Sequence, residues 1–190
     1  MRTTMAKFFI DYFPCHYHWA YMAKSGEYPG ADACWVGQKN GICGAALPGQ
    51  ISFTFGPHTG SVKLQIMLVD VAPPLHSKWE EVVEAPFVVE YAAEHAFLDF
   101  DGDLHGELLF LKPGEYRVRF CAVNYAITEG NTSQMPEEQW QVAIESELYE
   151  LVIWPEAIRP DEIIRVKSAH AAYWHKTRQE LETKRLVAKN

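Results

Sequence analysis

Positive charge is in short supply. The 190 residues carry 17 lysines and arginines against 25 aspartates and glutamates, a formal net charge of −8. A chain with that balance gains little from displacing counterions along a phosphate backbone, which argues against non-specific nucleic-acid binding. Its surface suits a basic partner instead, and nucleic-acid enzymes are basic. Long hydrophobic runs are also missing. The segment MRTTMAKFFIDYF is interrupted at Asp11 and reads as neither a signal peptide nor a membrane span. Cysteine is sparse, and no two of Cys15, Cys34, Cys43 and Cys121 have the spacing of a redox motif or zinc ribbon. Cys34 and Cys43 are close enough in sequence to pair in an oxidising setting, but nothing places the chain in one. A cytoplasmic protein with reduced thiols is expected.

The usual catalytic fingerprints are absent as well. There is no G-x-S-x-G, no H-E-x-x-H and no dinucleotide-binding glycine pattern. GAALPGQI (44–51) has the glycine spacing of a phosphate loop, but Gln50 and Ile51 stand where lysine and a hydroxyl residue are needed, and a strand follows rather than a helix. DFDGDLHGE (99–107) opens like a calcium loop but has Leu104 and Phe110 at the sixth and twelfth positions, where Gly and Glu are required. Adjacent Glu80-Glu81 and Glu137-Glu138 read as surface charge rather than acid/base pairs. No cofactor and no enzymatic activity are expected.

What the chain does have is β patterning. KFFIDYF (7–13), ISFTF (51–55), SVKLQIMLVDV (61–71), PFVVEY (86–91), AFLDF (96–100), ELLFL (107–111), EYRVRFCAV (115–123) and LYELVIW (148–154) give about eight strands separated by Gly, Pro and Asp turns. Asp101-Gly102 signals a two-residue hairpin, and Lys112-Pro113-Gly114-Glu115 a tight turn. The links are too short for helical crossovers, so an antiparallel β-sandwich is expected over residues 1–158. Arg117 and Arg119 fall on the outward face, paired across strands or open to an anion. Residues 20–49 and 127–147 read as irregular, the second as an acidic mobile loop. From Pro160 the apolar period changes to three and four through Ile163, Val166, His170, Tyr173, Trp174, Thr177 and Leu181. This predicts one amphipathic helix over 159–190, packed on the same domain.

The densest chemistry lies in DYFPCHYHWAY (11–21). If residues 15–19 are extended, His16 and His18 point the same way and both can reach one zinc ion, with a third ligand drawn from His58, His76, His95 or His105. Aromatic core residues with surface histidines are the plainer reading. A small-molecule pocket lined by Tyr12, His16, His18 and Trp19, or a zinc-dependent hydrolase, are the alternatives this stretch keeps open.

Taken in order, the aromatic first strand, ACWVGQKNGICGAALPGQ, ISFTF, VKLQIMLVD, VVEAPFVVE, FLKPGEYRVRFCAV and YELVIWP resemble the competence protein J family over roughly residues 7–154. That resemblance implies a small sandwich similar to C2 domains and inhibition of a nuclease of DNA uptake. It brings no catalytic residues, and the long acidic loop and C-terminal helix depart from the family pattern. The expectation is therefore a non-enzymatic module that binds a protein, such as a basic nuclease or toxin. Asp99, Asp101, Asp103, Glu137 and Glu138 are its candidate contacts.

Overall fold

A computed structural model of the chain describes residues 4–27, 30, 32–125, 130–131 and 136–188. Its strands are β1 (Thr4–His16), β2 (Trp19–Lys24), β3 (Cys43–Gly44), β4 (Ile51–Thr54), β5 (Pro57–Val69), β6 (Glu81–Val89), β7 (Ala93–Leu98), β8 (Leu104–Leu111), β9 (Gly114–Val123), β10 (Gly130–Asn131), β11 (Leu148–Pro155) and β12 (Glu162–Arg165). The helices are α1 (Glu137–Ser146) and α2 (Ala169–Val187), with a 3-10 turn at Ala33–Trp35. The eight strand signals of the sequence all fall on strands. Alternation sets which way each strand faces. In β5, Val62, Leu64 and Ile66 are buried while Lys63 and Gln65 between them are half-exposed.

Hydrogen bonding runs without a break through β12-β6-β9-β11-β5-β1-β2-β4-β3, with β7 paired to β2 and β8 to β7. This mainly β sheet doubles back where β1 turns into β2, and its two arms press together. Phe53 of β4 meets Phe120 of β9 at 5.3 Å between ring centroids, Phe55 meets Tyr149 of β11 at 4.7 Å, and Phe8 of β1 meets Phe97 of β7 at 5.7 Å. None of these pairs is adjacent in the hydrogen-bonded order, so the contacts are face to face. Offset and edge-on rings of this kind add to the area they bury.

Four local features differ from the sequence expectations. First, the pairing is not wholly antiparallel: β11 runs parallel to β5, Leu148 opposite Lys63 through Ile153 opposite Leu68. The short β10 also pairs parallel with the start of β5, Gly130 opposite Pro57 and Asn131 opposite Thr59. The chain reaches it only after β6–β9, and β11 only after α1 as well, which is connection enough for parallel pairing. Second, residues 20–24 are strand, completing a hairpin with β1. Third, Glu137–Ser146 is helical, because Pro136 stands at the N-cap and the first turn carries Glu137 and Glu138 at the positive end of the dipole. The flanking residues 126–129 and 132–135 lie outside the described set. Fourth, residues 162–165 pair with β6, and the helix begins only at Ala169, capped by Ser168, whose side chain accepts the Ala171 N–H at 3.0 Å. The intervening strand resets the helical phase. Ala171 and His175 are buried while Tyr173 and Leu181 are exposed, so the inward stripe is one residue off the predicted one.

The outward face of β9 is covered rather than open. Arg117 is only 1% exposed. Its Nε–H and that of Arg119 both donate to Glu84, at 3.2 and 2.8 Å, and Arg159 Nη2 reaches the same carboxylate at 2.6 Å. Arg117 Nη1 also donates to the carbonyls of Arg159 and Pro160, which brings the 156–162 segment down over the strand. Cross-strand pairing, not an open anion site, is the fate of these arginines. The C-terminal segment is tied down again at Glu81, which is fully buried and accepts the amides of Lys167 and Ser168.

Candidate partner-binding surface

The dense opening stretch forms a turn, not a continuous strand. His16 pairs with Trp19, and the two residues between them take positive φ, 53° at Tyr17 and 69° at His18. Two left-handed residues at the centre of a two-residue hairpin is the type I′ arrangement, usually supplied by Asn-Gly. Without that signature the turn is not legible in the sequence. It is held instead by the His18 backbone, which donates to His58 O at 2.9 Å and accepts from Phe55 N at 2.8 Å. The His18 ring faces the carbonyls of Phe55 and Gly56 through Nδ1, at 3.2 and 3.1 Å, which places its proton on that nitrogen. Burial, then the neighbouring His170 and His58 imidazoles, push the His18 pKa below its ordinary value.

The turn separates the two histidines that an extended chain would align. His16 stacks on Tyr17 at 4.3 Å, while His18 packs against His170 at 5.2 Å and Trp174 at 5.3 Å on α2. His58 lies between them, 6.2 Å from His16 and 5.1 Å from His18. Among the described residues, no three His, Cys, Asp or Glu side chains converge as a metal ion requires. Tyr12 is exposed and Trp19 half-buried. The four cysteines are free and buried, and burial raises the Cys34 thiol to about 12. No helix among the described residues is long and apolar enough to cross a membrane.

The acidic tip of the β7–β8 hairpin joins this end of the molecule through Phe100, whose ring lies 5.3 Å from His16 and 5.5 Å from Tyr17. Its geometry is longer than the expected two-residue turn. Gly102 N–H donates to Asp99 O at 3.1 Å, so Phe100 and Asp101 are the central residues, and Gly102 takes the left-handed φ of 92°. Asp99 organises the tip. Its Oδ1 accepts the amides of Asp101 and Asp103, at 3.0 and 2.9 Å, and its Oδ2 accepts from His105 Nε2 at 2.8 Å. The Asp101 and Asp103 side chains are exposed. Asp99 therefore shapes the tip, while Asp101 and Asp103 carry its outward charge.

Glu137 and Glu138 are exposed on the first turn of α1, a separate element that packs against β5. The candidate acids thus form two groups: three on one hairpin tip and two on one helix start. Sequence reasoning missed the rings beside the tip. Tyr17 is 53% exposed and His16 and Phe100 are partly exposed, an amphipathic floor beside the carboxylates. The signal was the aromatic density of 11–21, but its proximity to residue 100 depends on a tertiary contact.

No family model and no curated protein matches the chain. Among solved structures, it is similar to that of ComJ from Bacillus subtilis, described as an inhibitor of the DNA degrading activity of NucA. The TM-score is 0.50 at 16% identity, over 82% of this chain and 99% of that one. It is also similar to the product of crocagin biosynthetic gene J, with a TM-score of 0.46 at 14% identity, over 83% and 99%. At this identity the likeness to ComJ shows a shared fold.

Proposed function

We propose that the chain is a non-enzymatic, cytoplasmic protein that binds and restrains a basic nuclease or toxin. The observation that carries the proposal is the Asp99-ordered tip, which leaves Asp101 and Asp103 exposed on either side of a turn whose Phe100 ring lies 5.5 Å from exposed Tyr17. Pre-ordered carboxylates next to an aromatic suit a basic cleft: charge steers the encounter, and the ring supplies a desolvated anchor. The net charge of −8 and the fold shared with a nuclease inhibitor support the same reading. In it Asp101, Asp103, Glu137 and Glu138 meet the partner, and Asp99 holds the tip in shape.

Affinity capture from the native cell tests this, run at low and high salt with DNA degradation by the captured protein assayed in parallel. We expect a basic partner that is released as ionic strength rises and is inhibited while bound. A captured partner whose binding ignores salt and the double variant Asp101→Lys/Asp103→Lys would remove the electrostatic basis. Failure to capture any protein at low salt would remove the function itself.

A further inference from the structure

The two arms of the sheet do not close along their whole length. Among the described residues, β1 before its hairpin end pairs only with β5, and β8 pairs only with β7. These two margins lie against each other. Near the acidic tip they are clamped: Gly106, at a φ of 71°, comes so close that a Cβ built on it would lie 2.7 Å from Ile10 Cγ1. Towards the other end of β8 they part, and a cavity of about 700 Å³ opens between them. Its inner wall is Phe8, Leu68, Leu109 and Tyr116, all buried and all part of the main core. The Tyr116 hydroxyl donates to the Lys112 carbonyl at 2.9 Å, which leaves the ring as wall. Lys7, Glu107 and Lys112 stand at the rim, and all three are exposed.

We infer that this cavity binds a long-chain monocarboxylate, a free fatty acid whose tail lies on the core and whose carboxylate stays at the rim. Its volume falls in the range of small-molecule sites. A wall continuous with the core gives an acyl tail the same removal from water as a core side chain. An unbranched tail suits a slot between two strand margins, and a polar ligand would lose its hydrogen bonds to water against these walls without replacing them. The rim sets two ammonium groups against one carboxylate, the reverse of the balance over the whole chain, and so favours an anionic head group. An added strand fits less well. The register of β8 shifts between the partners of His95 and Phe97, and Glu107 and Lys112 put charge on the edge, both of which guard against strand addition.

Calorimetric titration of the full chain with laurate, kept below its micelle concentration, tests the inference. Saturable one-to-one binding with a micromolar dissociation constant is expected. Caprate, two methylenes shorter, should bind about tenfold more weakly, because each buried methylene adds to the transfer from water. Lys7→Gln/Lys112→Gln keeps most of each aliphatic stem and should weaken laurate about fivefold while leaving decanol unchanged. Ala6 is a half-buried residue of the cavity wall. Ala6→Phe places a ring in the space and should abolish binding with the melting temperature held. If that variant does not fold, amide exchange of the wild type locates the site, with residues 5–8 and 107–111 slowed by laurate. The inference is overturned by the absence of saturable binding at about 500 µM laurate, by equal affinity for laurate and caprate, or by a laurate affinity indifferent to the lysine pair. It is equally overturned by binding that survives in a folded Ala6→Phe, by laurate protection that falls elsewhere, or by exchange at 107–111 that slows with protein concentration alone, which would give the cavity to a second copy.

Discussion

His175 accepts the amide proton of Gly41 through Nδ1 at 2.8 Å, across 134 residues of sequence. This bond docks α2 on the segment before β3 and requires a neutral imidazole, because a protonated ring has no lone pair to offer. Burial depresses the His175 pKa from 6.5 to about 4, the Asp161 carboxylate opposing the shift only in part. Between those values the unfolded chain binds the proton and the folded one does not. Stability from this site is therefore complete above about pH 6.5 and is lost as pH falls towards 4. The shift corresponds to a loss on the order of 3 kcal/mol. His18, shifted the same way, adds to it. Urea unfolding between pH 7 and 4 should show the decline, and His175→Asn, which keeps an acceptor near the Nδ1 position but cannot titrate, should flatten it.

Gly41 is the other half of that contact. A Cβ built there lies 2.2 Å from the Trp174 carbonyl oxygen, which is backbone and cannot swing aside. Gly41→Ala should cost about 1–3 kcal/mol, in the range of other overpacked sites. Amide exchange should show α2 loosening before the sheet, which distinguishes undocking of the helix from general destabilisation.

Glu84 is the carboxylate shared by Arg117 and Arg119 under the 156–162 segment. Glu84→Gln leaves two guanidinium groups buried with one neutral partner, so a loss of about 3–5 kcal/mol is expected in chemical denaturation. Arg159→Ala removes a partner that is substantially exposed, and should cost under about 1 kcal/mol. Equal effects from the two variants would show that the network is not organised around Glu84.

The acidic tip separates charge from shape. Asp101→Lys and Asp103→Lys alter exposed side chains and should change stability by less than about 0.5 kcal/mol. Asp99→Ala removes the acceptor of two backbone amides and the partner of His105, and should cost about 1–2 kcal/mol. Thermal melts of the three variants check the contrast, and exchange at 100–103 should rise only in the last.

Much of the architecture was legible because it depends on local rules. Alternation located β5 and β9, and the mid-chain hairpins followed from Gly and Pro. The misreadings share a cause: a tertiary contact overrode the local pattern. Residues 160–168 carry helical signals, but β6 offered Ile163 a strand partner opposite Val83, and the Glu81 carboxylate captured the amides that follow. Tyr17 and His18 lack any turn signature, yet Phe55 and His58 hold them in one. The tip was recognisable as acidic from Asp99, Asp101 and Asp103. Its neighbours His16 and Tyr17 were visible only as a separate cluster some 80 residues earlier, because no local rule links a β1–β2 turn to a β7–β8 tip.

The parallel seam between β5 and β11 has a consequence for synthesis on the ribosome. Residues 57–69 leave the exit tunnel long before residues 148–155, and until the latter arrive β1 satisfies one margin of β5 while the other has only Gly130–Asn131 beside its first residues. The nascent chain must carry that half-finished strand through most of its translation, the stage at which unpaired strands attract chaperones or misassemble.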